Sequence, residues 1–359
     1  LANNQERVYK IGLQPRCYPS AVNMLKTAQA ITKYLHLRMT FPVEYSSLST
    51  TALLELLIDN YSISAEAEIT FLKRGFNDTY LIKTATAKYI LRVYKHIWRS
   101  KESIETEIKL LDLLKENGIS VSYSISDKQS QFIHTINAPE GNRYLVLFSF
   151  AEGEQVRKLS NAQAELLGKE TGKIHVLTQN KNLGETAHNY DIEFQFEKTL
   201  STLKSILKDY PEEYAYVLKL KNEFKSIFLS IDKGALASGI CHGDLQAENF
   251  HLTGTDEFTF FDFDFFGTGY LVYDIGVFMW YDHKNKPKEI IDSFLKGYAS
   301  QRALTETEIK LLPYFSTLRA LFQMTLYCNI SDGKQLPLWP ARQVADFIKK
   351  VEKWMLVVK

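Results

Sequence analysis

Residues 240–276 read ICHGDLQAENFHLTGTDEFTFFDFDFFGTGYLVYDIG, and the interpretation of the whole chain starts there. Between 240 and 282 stand Asp244, Glu248, Asp256, Glu257, Asp262, Asp264, Asp274 and Asp282, with no Lys or Arg among them. Hard carboxylate oxygens gathered in this way suit a divalent cation such as Mg²⁺. A solvated acidic loop is the bland alternative, yet such loops seldom interleave their acids with phenylalanines. Gly254-Thr255-Asp256-Glu257 has a turn composition between two strand-like pieces. A four-residue loop is therefore expected, which pairs 253 with 258 and sets Asn249 opposite Asp262. A carboxamide and a carboxylate on one hairpin face make a metal seat. Asp244 precedes Asn249 in a loop opened by His242-Gly243, where it would offer a base beside that metal.

Outward from this stretch the hydrophobic period changes. From 64 to about 150 it is two: Ala65, Ala67, Ile69 and Phe71 alternate, and TYLIKTA, KYILRVYK, QFIHTI and NRYLVLFSF follow as antiparallel strands. RSKESIETEIKLLDLLKENG interrupts them as a helix that Gly118 ends. After about 155 helical periods dominate, near 160–178, 191–208, 211–231, 273–281, 287–300, 305–329 and 341–356, apart from the strand pair near 249–263. Strands first and helices afterwards argue an α+β, two-lobed molecule with a small antiparallel-sheet N-lobe and a larger, mainly helical C-lobe. The expected divisions are a helical extension over 1–62, a sheet lobe over 63–148 and a helical lobe over 149–359. Met39-Thr40-Phe41-Pro42 reads like a natural start, so residues 1–38, with one amphipathic helix through Val22, Leu25, Ala28, Ile31 and Leu35, are expected to be upstream sequence. A second short helix is expected over 51–60.

Composition narrows the functional classes. At 359 residues, 45% apolar and 24% charged, the chain suits two or three globular domains and excludes disordered or collagen-like classes. Lys plus Arg (43) nearly cancel Asp plus Glu (42), so nothing draws the protein as a whole to nucleic acid or to an anionic membrane. Cys17, Cys241 and Cys328 lie far apart without a C-x-x-C pair, which argues against a disulfide framework or structural zinc and for a reducing cytoplasm. No apolar run approaches the roughly 18 residues that a membrane span needs.

The order H-G-D-x-x-x-x-N, Asp-Phe-Asp and Tyr-Asp-Ile-Gly resembles the phosphotransferases related to aminoglycoside and choline kinases, which share the protein-kinase-like fold. The resemblance implies a catalytic role for Asp244 and Mg²⁺ binding by Asn249 and Asp262. Asp264 stands where protein kinases have the Gly of D-F-G, and is a candidate for a second metal or its surroundings. Asp274 is either the cap of the following helix or, as in the family, a brace for the catalytic loop; His242 is expected to support the same loop.

In the sheet lobe, Glu107 lies in line with Ile104, Leu111 and Leu114, so it needs a cationic partner, and Arg92 on the neighbouring strand is the candidate. In kinases such a pair holds the α- and β-phosphates. The loop Lys73-Arg74-Gly75-Phe76-Asn77-Asp78-Thr79-Tyr80 stands where kinases cover the phosphates, and Asn77, Asp78 and Thr79 could approach them. LVLFSFAEGE (145–154) reads as the lobe hinge, and the family alignment implies that the Ser149 carbonyl and the Ala151 amide contact a purine. There is neither a P-loop nor a G-x-G-x-x-G motif. His175 is expected to be a packing histidine, and Trp280, Tyr281, Tyr314, Phe315, Tyr327 and Trp339 to be mostly core.

The resemblance thus implies an ATP- and Mg²⁺-dependent kinase that phosphorylates a hydroxyl of a small molecule. The acid-rich stretch favours a cationic acceptor, an aminoglycoside-like compound or an amino alcohol. FLKGYASQRALTETEIKLLPYFSTLRAL (294–321) is similar to the homoserine-kinase-like branch. The alternatives are a protein Ser/Thr kinase, a silent nucleotide-binding scaffold and a metal phosphohydrolase.

Overall fold

The computed structural model describes residues 41–280, 286–329 and 339–358. The helix expected within 22–35 and the aromatic Tyr281 lie outside them. The chain divides into Leu1–Val43 and a compact unit, Glu44–Lys359, to which all the described secondary-structure elements belong. Within that unit Ser49 caps α1 (Thr50–Asn60) by accepting from the Ala52 amide. Strands β1 (Glu68–Arg74), β2 (Asn77–Lys83) and β3 (Lys88–Tyr94) then run antiparallel. Helix α2 (Lys101–Glu116), capped by Ser100, ends before Gly118 at φ +77. Strands β4 (Ser124–Ile125), β5 (His134–Ala138) and β6 (Gly141–Ser149) complete a sheet of order β1-β2-β3-β6-β4, with β5 on β6.

Strand alternation divides this sheet's two faces. Leu91, Val93, Leu145 and Leu147 pack with Leu53 and Leu57 of α1. Tyr94, Val146 and Phe148 belong instead to the cluster that holds Ile104, Ile108 and Leu111 of α2. Arg92 and Tyr94 therefore share the α2 side, which is what brings a strand cation to a helix carboxylate.

The helical part contains β7 (Glu154–Gln155), α3 (Asn161–Thr178), β8 (His188–Asn189), α4 (Ile192–Ile206), α5 (Pro211–Ser230), β9 (Ser238–Cys241), β10 (Phe250–Thr253), β11 (Glu257–Phe260), β12 (Gly267–Tyr270), α6 (Val272–Trp280), α7 (Lys288–Ala299), α8 (Glu306–Asn329) and α9 (Ala341–Val358). Two small sheets, β11-β10-β7 and β8-β12-β9, carry the 240–276 stretch against this helical core. Trp280 and Phe315 are core residues, and Tyr327 stacks on Trp339 at 4.9 Å. Among the described residues no helix is long and apolar enough to cross a membrane.

The hairpin differs from its expected register by one residue. Thr253 pairs with Glu257, not with 258, because Gly254 at φ +62 lets three residues close the loop. Asn249 is consequently opposite Phe261, whose amide donates to the Asn249 carbonyl at 3.0 Å. Asp262 lies just beyond the ladder, in the left-handed region at φ 62, ψ 55.

Helices α3 and α7 cross with backbone against backbone. A Cβ on Gly297 would fall 1.8 Å from the Glu165 carbonyl oxygen, and one on Gly168 would fall 2.0 Å from that of Phe294. Gly297→Ala is expected to cost about 1–3 kcal/mol through overpacking, read from urea unfolding; an unchanged midpoint would mean that the helices have room to part.

Candidate active site

The site is built first from the turn after β9. Gly243 sits at φ +79, and a Cβ there would lie 2.0 Å from the Phe265 carbonyl oxygen, so this turn requires glycine. Asp274, in the first turn of α6, accepts from the backbone amides of His242 (2.7 Å) and Gly243 (2.8 Å) and from His175 Nε2 (3.0 Å). It braces the loop and is not the helix cap. His175 is fully buried, and its Nδ1 bonds the Tyr298 hydroxyl at 2.7 Å, which makes it a satisfied packing histidine. His242 reaches the Phe261 carbonyl at 3.2 Å, so one side chain links the loop to the segment that leads into Asp262.

Asp244 follows, 6% exposed. Its Oδ2 accepts from Gln246 Nε2 and from Asn249 Nδ2, each at 2.7 Å. Its Oδ1 accepts from Arg319 of α8, which also donates to the Gly243 carbonyl at 3.2 Å. Asn249 Nδ2 donates again to the Asp244 carbonyl at 2.8 Å, which fixes the amide orientation and leaves Oδ1 without a protein donor among the described residues.

The second part of the site is an ion network. Arg92 Nη1 lies 3.0 Å from Glu107 Oε1, and Arg92 Nη2 lies 3.1 Å from Asp262 Oδ1. Lys73, on β1, stands 3.5 Å from Asp262 Oδ2. Arg99 bonds Glu107 Oε2 at 3.1 Å and Asp264 Oδ1 at 3.2 Å, while Trp98 Nε1 donates to Asp264 Oδ2 at 2.9 Å. Burial raises the Asp262 carboxyl, but Arg92, Lys73 and His242 together outweigh it and hold the group below the ordinary carboxylate value. For Asp274 burial again opposes ionisation, and the donors from His175 and Gly243, with the charge of His242, reverse the sign.

The residues expected to approach the phosphates divide between the two faces of the sheet. Asp78 is fully buried on the sheet face opposite Arg92, where Arg143 Nη2 (2.9 Å), Arg74 Nε (3.4 Å) and the Tyr45 hydroxyl occupy it, because strand alternation turns it away. Thr79 pairs directly with Arg92 and Asn77 with Tyr94, so these two share the Arg92 face, as strand residues and not as a loop. Asn77 Oδ1 is buried without a partner among the described residues. Asp264 is 2% exposed, and each of its oxygens accepts from a protein donor, Arg99 on Oδ1 and Trp98 on Oδ2. The Ser149 carbonyl accepts from the Ser122 hydroxyl at 2.6 Å. The Ala151 amide has no partner among the described residues, and its carbonyl meets His251 Nδ1 at 2.8 Å.

Sequence reasoning missed Arg319, Arg99, Lys73 and Gln246. Arg319 could have been found by the argument applied to Glu107: it is a charge among Leu318, Ala320, Leu321 and Phe322, and a buried charge needs a partner. Arg99 and Gln246 carry no such local signal.

Two measurements test these electrostatics. Glu107→Ala strips the carboxylate shared by two buried arginines and is expected to cost about 3–5 kcal/mol in urea unfolding; a loss below about 1 kcal/mol would mean that the pair is effectively solvated. Asp274 has a depressed pKa, so its contribution is present above the ordinary carboxylate value of about 3.9 and is lost as pH falls through its lower folded value. Asp274→Asn should therefore melt below the parent at pH 7, and the gap should close below about pH 4; a constant gap would show that the charge is not what matters.

A model of the phosphotransferase enzyme family matches residues 68–309. The amicoumacin kinase of Bacillus subtilis is 25% identical over 298 residues, 79% of this chain and 87% of that protein. A solved structure of amicoumacin kinase in complex with AMP-PNP, Ca²⁺ and Ami superposes with TM-score 0.69 at 24% identity, covering 85% of this chain and 94% of the other. A microcompartment-associated aminopropanol kinase superposes with TM-score 0.69 at 20% identity, covering 86% and 98%. These likenesses extend over both lobes, so the bilobal α+β fold is kinase-like, and the chain belongs to the phosphotransferase enzyme family.

Proposed function

We propose that this protein moves the γ-phosphate of ATP to a hydroxyl of a small molecule, with Asp244 facing the acceptor and Asn249 and Asp262 facing a Mg²⁺-bound nucleotide. The observation that carries the reading is the way Asn249 is held: both of its amide hydrogens go to Asp244, and its oxygen is left for a cation. Among the described residues no three His, Cys, Asp or Glu side chains converge as a metal cage. That suits Mg²⁺, which takes one or two protein ligands and completes its shell with phosphates and water. When bound, Mg²⁺ would neutralise charge on the phosphates.

The chain's own groups do the rest. Arg92, already beside Asp262, is placed to meet the α- and β-phosphates, with Lys73, 61% exposed, free to swing onto the nucleotide. The Ala151 amide and the second lone pair of the Ser149 carbonyl are the main-chain groups offered to the purine. Asp244, pinned on Oδ1 by Arg319 and on Oδ2 by Asn249 and Gln246, has little freedom to turn. It would orient the acceptor hydroxyl in line with the γ-phosphorus and take its proton as the new P–O bond forms and the bond to ADP breaks. The names of the amicoumacin and aminopropanol relatives support an amine-bearing alcohol as acceptor.

Asp244→Asn is expected to lower kcat for ADP release by roughly 10²–10⁴-fold with nucleotide binding retained, whereas Asp262→Ala should abolish Mg²⁺-dependent nucleotide binding. Calorimetry with AMP-PNP and a coupled ADP assay separate the two; equal loss of folding stability in both variants, with no such division, would show these residues to be structural.

A further inference from the structure

A file of buried polar groups leads from the end of α7 through α3 and α6 to the loop that bears Asp244, and the direction of each hydrogen bond in it is fixed by chemistry. Arg302, just after α7, can only donate, and its Nη1 donates to the Tyr298 hydroxyl oxygen at 3.1 Å. Burial pushes the Tyr298 phenol up, so it keeps its own proton, and the acceptor for that proton is His175 Nδ1, 2.7 Å away. On the other side of the imidazole, Asp274 is ionised, as its depressed pKa requires, and a carboxylate only accepts. His175 Nε2, 3.0 Å from Asp274, therefore carries the ring proton. A second proton on the ring would make Nδ1 a donor and leave the Tyr298 hydroxyl hydrogen without an acceptor among the described residues. Every donor in the file thus points toward Asp274, which also receives the His242 and Gly243 amides.

The far end of the file holds the same stretch of chain. Arg302 Nη2 pairs with Glu308, which is fully buried, and Glu308 Oε1 also accepts from the Ala237 amide at 3.3 Å, one residue before β9. Strand β9 is therefore tied at its start to Glu308 and just past its end to Asp274, through one continuous network. The Tyr298 hydroxyl is the middle link. Without it His175 Nδ1 is a buried acceptor with no donor, and a ring anchored by one nitrogen alone can turn about χ2. Each such turn takes the Nε2 proton away from Asp274 and loosens the carboxylate that holds the loop.

We propose that Tyr298 is a positioning residue for phosphoryl transfer: acting through His175 and Asp274, its hydroxyl fixes the loop that aims Asp244. This rests on the phosphotransferase reading, in which Asp244 engages the acceptor hydroxyl.

The test compares the parent protein with Tyr298→Phe, which removes one oxygen and keeps the ring that meets His175 edge-on. Thr199→Val is the reference, because it also removes a buried hydroxyl, bonded to Thr325 at 3.0 Å between α4 and α8 and outside the file. In the parent, a long-range nitrogen–proton correlation spectrum of the imidazoles should show His175 as the neutral Nε2–H tautomer. In Tyr298→Phe, hydrogen exchange at the His242 and Gly243 amides should quicken by roughly tenfold or more relative to the amides of α2. ADP release from Mg·ATP, read with water alone and with ethanolamine as acceptor, should slow by about the same factor, while calorimetry shows Mg·AMP-PNP binding retained. Thr199→Val should change none of these. A protonated ring or the Nδ1–H tautomer in the parent, exchange or turnover unaltered in Tyr298→Phe, nucleotide binding lost along with turnover, or equal losses in Thr199→Val would overturn the proposal. Absent Mg·AMP-PNP binding by the parent, or ADP release that is the same in the parent and in Asp244→Asn, would instead defeat the phosphotransferase reading, and the tautomer and exchange results need no turnover to be read.

Discussion

A guanidinium inside a protein is tolerable only where carboxylates meet it, and here two of them share one. Arg92 and Arg99 both converge on Glu107, and each then reaches a different residue of the 262–264 segment. Four separate pieces of chain are held in this way: a strand, the segment after it, a helix, and the turn that follows β11. Removing any one member would leave a buried charge unanswered, which is far more costly than the net worth of the assembled network. Cooperative electrostatics of this kind make the sheet and the helical part meet in one geometry.

The loop bearing Asp244 depends on a second set of bonds with the same logic. Asp274 gathers two backbone amides and a buried histidine, and His242 reaches the carbonyl next to Asp262. The loop bearing Asp244 and the turn bearing Asp262 are therefore tied together through the backbone. Asp262 itself holds a left-handed conformation that a short polar side chain tolerates better than a branched one, an instance of local strain stored where side chains must be aimed.

Charge in this protein is allocated, not spread. Of the acidic run that stands out in a nearly neutral chain, Asp244, Asp262, Asp264 and Asp274 are taken up by internal donors, while Glu248, Asp256 and Glu257 are exposed. Local composition therefore overstates the free negative charge around Asp244, because it counts charges before folding has paired them. What an incoming molecule meets is the residue of that pairing.

The lobes, the order of their elements and the Arg92–Glu107 contact were legible in the sequence, because period-two and period-3.6 patterning and the rule that a buried charge needs a partner act over a few residues or along one face. The family resemblance in 240–276 was legible for the same reason: its spacing is local. The hairpin register was misread by one residue, since a left-handed glycine can close a turn with three residues as well as four. Asp78 was misassigned because the boundary between loop and strand decides which face a side chain takes. Arg319, 75 residues from Asp244 along the chain, and Arg99 on Asp264 belong to tertiary structure alone. They arise from the packing of distant helices and segments, and no local pattern records which buried charge will find which partner.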